Sequence, residues 1–339
     1  MTKVSIVIPC RNEAPFIGKC LKAIQKSTLD ELTEIQIFVV DGMSDDGTRT
    51  EVEKFATEDS RIHLIDNTKQ VTPFAFNLGI TAGGRVDFVQ IIGARHIISE
   101  NYLQKSIEIL SNDSTIWCVG GKLKNQYINE DGRIIALAMG SSFGMGFGNF
   151  RTLNSSMFTD TVTSPMYPYW VFDEIGFFDE ALIRNQDDDF NYRIKKANGK
   201  IWFENSIQLS YYVRGSYKQL WRQFFQYGYW KVFVNKKHKI NTTYRQLIPP
   251  LFVFGLGMIL LSYIFGTKVM AIFSLPLALY LLILILLSST MSKKVADFVR
   301  LIMVFPILHI SYGVGYWKGI IDFLVLHKKP SDHQKRMSR

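Results

Sequence analysis

From Ile248 onward the chain is almost continuously apolar, and this stretch constrains the fold more than any other feature. Ile248–Phe265 and Val269–Ser288 each come close to the roughly 20 apolar residues that a helix needs to cross a bilayer. In hydrocarbon, backbone polar groups must be satisfied within their own element, so both runs are predicted as membrane-spanning helices. Gly266–Lys268 reads as the tight turn between them. A third apolar segment, Phe298–Leu326, is interrupted by Arg300, Pro306, His309 and Lys318, and reads as interfacial, re-entrant or spanning. Charge bears on the topology. Lys236, Lys237, Lys239, Arg245, Lys293, Lys294, Lys328, Lys329, Lys335, Arg336 and Arg339 all fall on one side if two segments cross. Positive residues favour the cytoplasmic side, so the expectation is a multi-pass cell-membrane protein with its N-terminal portion in the cytoplasm. The formal net charge of +9 then suits anionic lipid head groups, and no nucleic acid is expected as a partner.

Residues 1–235 have a different texture and are predicted as a separate globular domain, with 236–339 as the membrane-anchoring region. Val4–Pro9, Ile35–Val40, Ile62–Ile65 and Asp87–Ile92 are short apolar, β-branched runs of the kind found in buried strands. Helical patterns separate them: Ile17, Leu21 and Ile24; then Val52 and Phe55; then Thr72–Ala82. Strand and helix alternating at this spacing predict an α/β fold with a mostly parallel sheet flanked by helices. In such sheets ligands bind beyond the carboxyl ends of the strands, where Cys10–Glu13, Asp41–Thr48 and Gly93–His96 stand. Any one of these segments is also an ordinary Gly/Asn/Asp turn. Three at successive strand ends make a pocket, in which Asp41 and Asp45 suit a nucleobase imide or a ribose. The chain has neither GxGxxG nor GxxxxGK[ST], which argues against dinucleotide and P-loop sites. The N-terminus lacks the apolar core of a signal peptide. Cys10, Cys20 and Cys118 lack metal-ligand spacing and read as free thiols in a reducing compartment.

Asp187, Asp188 and Asp189 form a run of acids at the start of a helical pattern carrying Phe190, Ile194 and Ala197. Acids suit the positive end of a helix dipole, so a solvated first turn explains them. Crowded carboxylates also raise the pKa of one member, which suits a general base. From the residues alone, Asp187 and Asp188 are rival bases. Other features have plainer readings. Phe143–Gly148 reads as a flexible glycine-rich segment rather than a phosphate loop, because no helix pattern with a Lys follows it, and His309 as a packed histidine. The aromatics between Tyr211 and Trp230, beside Arg222, Lys231, Lys236 and Lys237, divide between core packing and an amphipathic helix at head-group level.

The segments Val4–Glu13 and Val39–Thr48 resemble the opening of family 2 glycosyltransferases of GT-A (Rossmann-like) fold. The resemblance runs on through Asn67, Pro73, Asn77, Asp160–Val162, Ile175–Glu180, Arg184–Arg193 and Gln223–Lys231, and is strongest to the bacterial succinoglycan-type branch. It implies a nucleotide-sugar donor, a UDP-sugar, and inversion at the anomeric carbon. Carried over by position, Pro9, Arg11, Asn12 and Glu13 line the nucleotide pocket, Asp41 reads the base, and Ser44 and Asp45 stand beside it. The family's Glu-Asp base motif falls on Gln186 and Asp187, which makes Asp187 the base, with Asp189 and Arg193 as its supports. The family's metal motif, Asp-X-Asp or Asp-X-His, falls on Gly93, Ala94 and Arg95, which leaves no carboxylate there.

Three explanations of that departure stay open. A divalent cation (Mg²⁺ or Mn²⁺) binds through other groups, such as Asp45 or His96 together with the phosphates; Arg95 grips the phosphates instead; or the site has decayed and the chain is a binding or scaffold protein. The reading is an inverting hexosyltransferase that acts on a membrane-presented, lipid-linked glycan in capsule or exopolysaccharide synthesis. The alternatives are a polyprenyl-phosphate sugar transferase and the non-catalytic protein.

Overall fold

The structure is a computed structural model that describes residues 1–148, 150–240, 242–265 and 267–330. The chain divides into two compact units, Met1–Lys124 with Leu153–Tyr212, and Asn125–Thr152 with Val213–Arg339.

The first unit is built on a nine-stranded mixed sheet. Its strands are β1 (Thr2–Cys10), β2 (Thr33–Asp41), β3 (Ile62–Asp66), β4 (Phe88–Ile91), β5 (His96–Ile98), β6 (Ile116–Gln126), β7 (Met157–Phe158), β8 (Thr163–Pro168) and β9 (Lys200–Tyr212). The order is β3-β2-β1-β4-β8-β6-β9-β5, with β7 paired to β9. The apolar runs read from the sequence form the parallel half, β3-β2-β1-β4. Ile6, Val7, Ile8, Ile37, Val39 and Val40 are fully buried there, as strands covered on both faces require. The other half is antiparallel: β8 pairs with β4 and β6, and β9 with β5 and β7.

Helices Ala14–Gln25, Thr48–Glu58 and Thr72–Gly83 are the crossovers of the parallel half. The last lies so close to the sheet that a Cβ at Gly79 would stand 2.4 Å from Val7 Cγ1, and one at Gly83 would stand 2.3 Å from Ser5 Oγ. The three cysteines are free and buried. Burial pushes the Cys20 thiol up to about 12 and the Cys10 and Cys118 thiols higher still. A thiol without thiolate does not react, so all three are expected to resist a thiol-specific reagent at pH 7.5 until the protein is unfolded. Labelling followed by mass spectrometry reads this directly.

In the second unit, helices Tyr244–Phe265, Thr267–Met291 and Val295–Gly319 contain stretches long and apolar enough to cross a membrane. A π-helical turn, Ile320–Val325, extends the last of them. Ile248, Leu251, Leu260, Leu275, Leu279 and Leu286 face outward, a surface that suits lipid rather than water. The turn residue Gly266 and the basic residues Lys335, Arg336 and Arg339 lie outside the described residues.

The polar interruptions of the third apolar segment do not end its helix, because each finds a partner. Arg300 stands 3.7 Å from Glu130, and Lys318 2.9 Å from Asp322. His309 Nε2 donates to the Phe143 carbonyl, and its Nδ1 meets the Tyr280 hydroxyl. Phe143 also packs on Tyr280, Phe305 and His309, so the glycine-rich segment is anchored within this unit by a helical turn, Ser142–Met145, rather than loose as its glycines suggest.

Helix Tyr217–His238 buries Phe224, Tyr229 and Trp230, so packing accounts for these aromatics, while Trp221 stays exposed. Its contact with Val295–Gly319 depends on glycine. A Cβ on Gly228 would stand 2.0 Å from the Tyr312 carbonyl oxygen, and one on Gly315 would stand 2.0 Å from that of Phe225. Such backbone approach is how helices associate where lipid removes the hydrophobic drive. Gly228→Val is expected to destabilise this unit by about 3 kcal/mol, the upper end for overpacking. The check is a lowered thermal midpoint in detergent.

Candidate active site

The strand order reverses direction between β1 and β4, and this is the point where open α/β sheets form a ligand crevice. Two loops meet at its rim, one leaving β1 and one leaving β2. Asn12 Nδ2 donates to Asp45 Oδ1 (2.9 Å), and the Asp45 N–H donates to Asn12 Oδ1 (3.1 Å). The Asn12 N–H donates to Ser44 Oγ (2.8 Å) and the Glu13 N–H to Thr48 Oγ1 (2.8 Å). Asp46 closes the set by accepting from the Ala14 and Thr48 N–H groups. Burial works against its charge, but these bonds and the Thr48 hydroxyl prevail and hold its carboxyl below the usual range. Asn12 and Met43 both adopt left-handed backbone, with φ of 53° and 58°. Asn tolerates this region; Met does not do so readily, so the surrounding bonds impose it.

Asp41 is fully buried. Its carboxylate accepts from the Ser44 N–H (2.9 Å), the Ser44 hydroxyl, Arg49 Nη1 (3.0 Å) and the Cys10 thiol (3.6 Å). Asp41 therefore shapes the loop, and to read a base it would have to exchange one of these donors. Pro9 is half-buried near the end of β1, and Arg11 packs against Gly42.

Across the crevice, Arg95 follows β4. Its Nε donates to Glu13 Oε2 at 2.7 Å, and its guanidinium lies 4.3 Å from the Phe16 ring centre. The sequence left open a cation held through Asp45 or His96. His96 Nδ1 accepts from the Gly93 N–H (3.3 Å) and contacts Ser164 Oγ (2.6 Å). A backbone N–H can only donate, so Nδ1 is an acceptor here and is committed to Gly93 and Ser164 rather than turned to a metal. A Cβ on Gly93 would stand 3.3 Å from this ring, so the imidazole occupies the space a side chain there would enter. Among the described residues no group of three or more His, Cys, Asp or Glu side chains could hold a metal ion. The residues present do not fit a protein-held divalent centre.

The acid run forms the first turn of helix Gln186–Lys196, and its three members differ. Asp187 is exposed, Asp188 half-buried and Asp189 fully buried. Asp188 Oδ2 accepts from Asn185 Nδ2 at 3.0 Å. Asp189 accepts from Arg193 Nε at 3.1 Å, and the rest of that guanidinium donates to the carbonyls of Ile175, Gly176 and Phe177. Asn77, on helix Thr72–Gly83, holds the same loop one residue further on. Its Nδ2 donates to the Phe178 carbonyl (2.9 Å) and to Glu180 Oε1 (2.9 Å), and its Oδ1 accepts from the Phe178 N–H (3.0 Å).

Beneath the helix, Phe178 stacks on Phe190 at 4.4 Å, with Phe172 and Tyr167 completing an aromatic cluster. Burial raises the Tyr167 phenol well above its ordinary value, and the Asp187 carboxylate adds to this. The predicted residues thus fall into two groups, the rim loops with Arg95 and the Asp187 helix, and helix Thr72–Gly83 connects them. Sequence reasoning missed the Glu13–Arg95 pair and the role of Asn77 as a clamp. The signal for Asn77 was a single amide in an otherwise apolar helical stretch.

The glycosyl transferase family 2 model matches residues 5–176. The succinoglycan biosynthesis protein ExoA of Rhizobium meliloti is 25% identical over 332 residues, which are 95% of this chain and 96% of that protein. A dolichyl N-acetyl-α-D-glucosaminyl phosphate 3-β-D-2,3-diacetamido-2,3-dideoxy-β-D-glucuronosyltransferase of Methanococcus voltae is 29% identical over 334 residues, 95% of this chain and 98% of its own. In fold, the chain resembles the mannosyltransferase PcManGT of Pyrobaculum calidifontis, solved with GDP-mannose and Mn²⁺. The TM-score is 0.62 and the identity 16%, over 93% of this chain and 86% of that one. With the crevice at the strand reversal and the acid run at a helix start, the match over half the chain settles the class: this chain belongs to glycosyl transferase family 2 and is a glycosyltransferase.

Proposed function

We propose that the chain transfers a hexose, with inversion, from a nucleotide sugar (a UDP-hexose) to a lipid-linked glycan presented at a membrane. The observation that carries this reading is the state of Asp187. It is an exposed carboxylate on the first turn of a helix fixed from behind by Asp189, Arg193 and the Asn77 clamp. A base must be accessible to the acceptor and also rigidly placed, and this arrangement supplies both. The donor's nucleotide sits against the rim formed by Arg11, Asn12, Glu13, Asp41, Ser44 and Asp45. The acceptor hydroxyl attacks C1 and gives its proton to Asp187. The C1–O bond breaks with its electron pair on the β-phosphate oxygen, and a single displacement inverts the anomeric centre.

Two further observations support the acceptor assignment. The Methanococcus relative is named for a dolichyl-linked sugar phosphate acceptor, and it matches nearly end to end. Among the described residues, three helices are also long and apolar enough to cross a membrane, which suits an acceptor presented there. The test incubates detergent-solubilised protein with UDP-glucose and other nucleotide sugars, a membrane lipid extract, and Mg²⁺, Mn²⁺ or EDTA. Proton NMR of the product then reads the anomeric configuration. An α-linked donor giving a β-glycoside supports the proposal, whereas retention or donor hydrolysis alone refutes it. A product holding only one sugar on a lipid monophosphate would assign the chain to polyprenyl-phosphate sugar transfer instead.

A further inference from the structure

We propose that Arg95 takes the place of a divalent ion in this chain: its guanidinium, oriented by Glu13 and Phe16, binds the donor's diphosphate and stabilises the charge that develops on it. The inference rests on the nucleotide-sugar reading above. It starts from the poor fit of the crevice to a metal. Gly93 and Ala94 offer no side-chain ligand, His96 Nδ1 is committed to Gly93 and Ser164, and Arg95, the third of positions 93–95, is a cation.

Position and orientation follow from the fold. β1 and β4 are adjacent and parallel, with Val7 opposite Ile91. Glu13 and Arg95 therefore leave the sheet side by side at the strand reversal, where an anion would enter. The side chain is preset: Nε is committed to Glu13 at 2.7 Å, the flat face lies over Phe16, and Arg95 is 16% exposed against 13% for Glu13. Nη1 and Nη2 donate to no group among the described residues. The guanidinium fork is thus held along one edge and open along the other, with N–H donors spaced to take two phosphate oxygens. Toward the diphosphate Glu13 acts as a positioning residue, because its carboxylate holds the Arg95 guanidinium in place.

In the transfer step the C1–O bond breaks, and its electron pair moves onto the β-phosphate oxygen. The acceptor O–C1 bond forms and the acceptor proton passes to Asp187. The new negative charge on the diphosphate meets the Nη edge of Arg95. A fixed charge already in place at a developing anion lowers the barrier without further reorganisation.

The experiment measures equilibrium binding of UDP, UMP and uridine to the full-length protein in detergent, with EDTA and with Mn²⁺, beside the GDP and dTDP series. Wild type is expected to prefer the diphosphate to the monophosphate by roughly ten-fold or more in EDTA, as charge-assisted hydrogen bonds allow. Mn²⁺ should leave that preference unchanged. Arg95→Ala should erase it and keep uridine binding intact. If Arg95→Ala also loses uridine, Arg95→Lys carries the test: charge without the fork should keep uridine and lose most of the preference. Glu13→Gln should weaken the diphosphate selectively.

Diphosphate binding that appears only with Mn²⁺ would overturn the inference alone. So would a preference that survives in Arg95→Ala, or in Arg95→Lys where that variant carries the test. Failure of every nucleotide series in every lane would overturn the nucleotide-sugar reading, and the inference with it.

Discussion

Asp187→Asn is expected to cut sugar transfer by orders of magnitude while leaving nucleotide binding at the wild-type level. Asparagine keeps the size and the polarity that a first helical turn accepts, so the helix should persist. What it loses is the ability to take a proton. A positioned general base contributes roughly 100- to 10,000-fold, and turnover should fall within that range. The neighbouring acid provides the control. Asp188 is half-buried and accepts from Asn185, whose backbone is left-handed at φ 58°. Asp188→Asn is expected to cost less than ten-fold in turnover, because hydrogen bonding within the turn and not proton transfer is disturbed. Initial rates with saturating donor, alongside nucleotide affinity, separate the two. Equal losses in both variants would mean that the acids work as a unit and that Asp187 has no special place.

Asp189→Ala is expected to have the largest effect on stability in the first unit. Asp189 is wholly buried and supplies the counter-charge of Arg193, itself 19% exposed. Removing one partner of a buried pair typically costs about 3–5 kcal/mol, because the other charge is left uncompensated. The three carbonyls of Ile175–Phe177 still accept from the guanidinium, so the lower end of that range is expected here, about 3 kcal/mol. Thermal unfolding in detergent measures it. The molecules that remain folded should also transfer sugar more slowly, because the loop that carries the Asp187 helix is no longer held. Arg193→Lys keeps the charge but cannot reach three carbonyls with one fork, and it should show a smaller stability loss with a similar loss of activity.

That Asp187 and Asp189 differ in role was within reach of the sequence. Residues two apart on a helix lie on nearly opposite faces, so two members of an acid run cannot share a role. Which of the two lies inside was not legible: by helical spacing Asp187 stands nearer the face of Phe190 and Ile194, and Asp189 is buried because Arg193 pairs with it there. The parallel half of the sheet was legible for a related reason. Strands covered on both faces must be apolar throughout, and Val4–Pro9 and Ile35–Val40 carry that signature.

The antiparallel half was not legible. β6 mixes Gly120, Gly121, Lys122 and Lys124 with apolar residues, and β9 includes Glu204, Asn205 and Gln208, so neither shows a clean period. Pairings across long separations were equally hidden. Nothing near Arg95 in sequence points to Glu13, and nothing near His309 points to the Phe143 carbonyl. The polar residues of the third apolar helix looked like interruptions because their partners lie elsewhere in the chain. Gly228 and Gly315 carry no distinguishing signal in the sequence beside the more conspicuous aromatics, although they set how closely two helices approach.

The most direct test of the central claim is transfer of radiolabelled sugar from UDP-glucose, and from a panel of other nucleotide sugars, into the lipid-extractable fraction of membranes containing the wild-type chain or Asp187→Asn. The expected result is wild-type label in an extended lipid-linked glycan, nucleoside diphosphate released in equal amount, and neither in the variant. Label incorporated equally by both proteins, or none by wild type with any donor in the presence of lipid extract, would contradict the account.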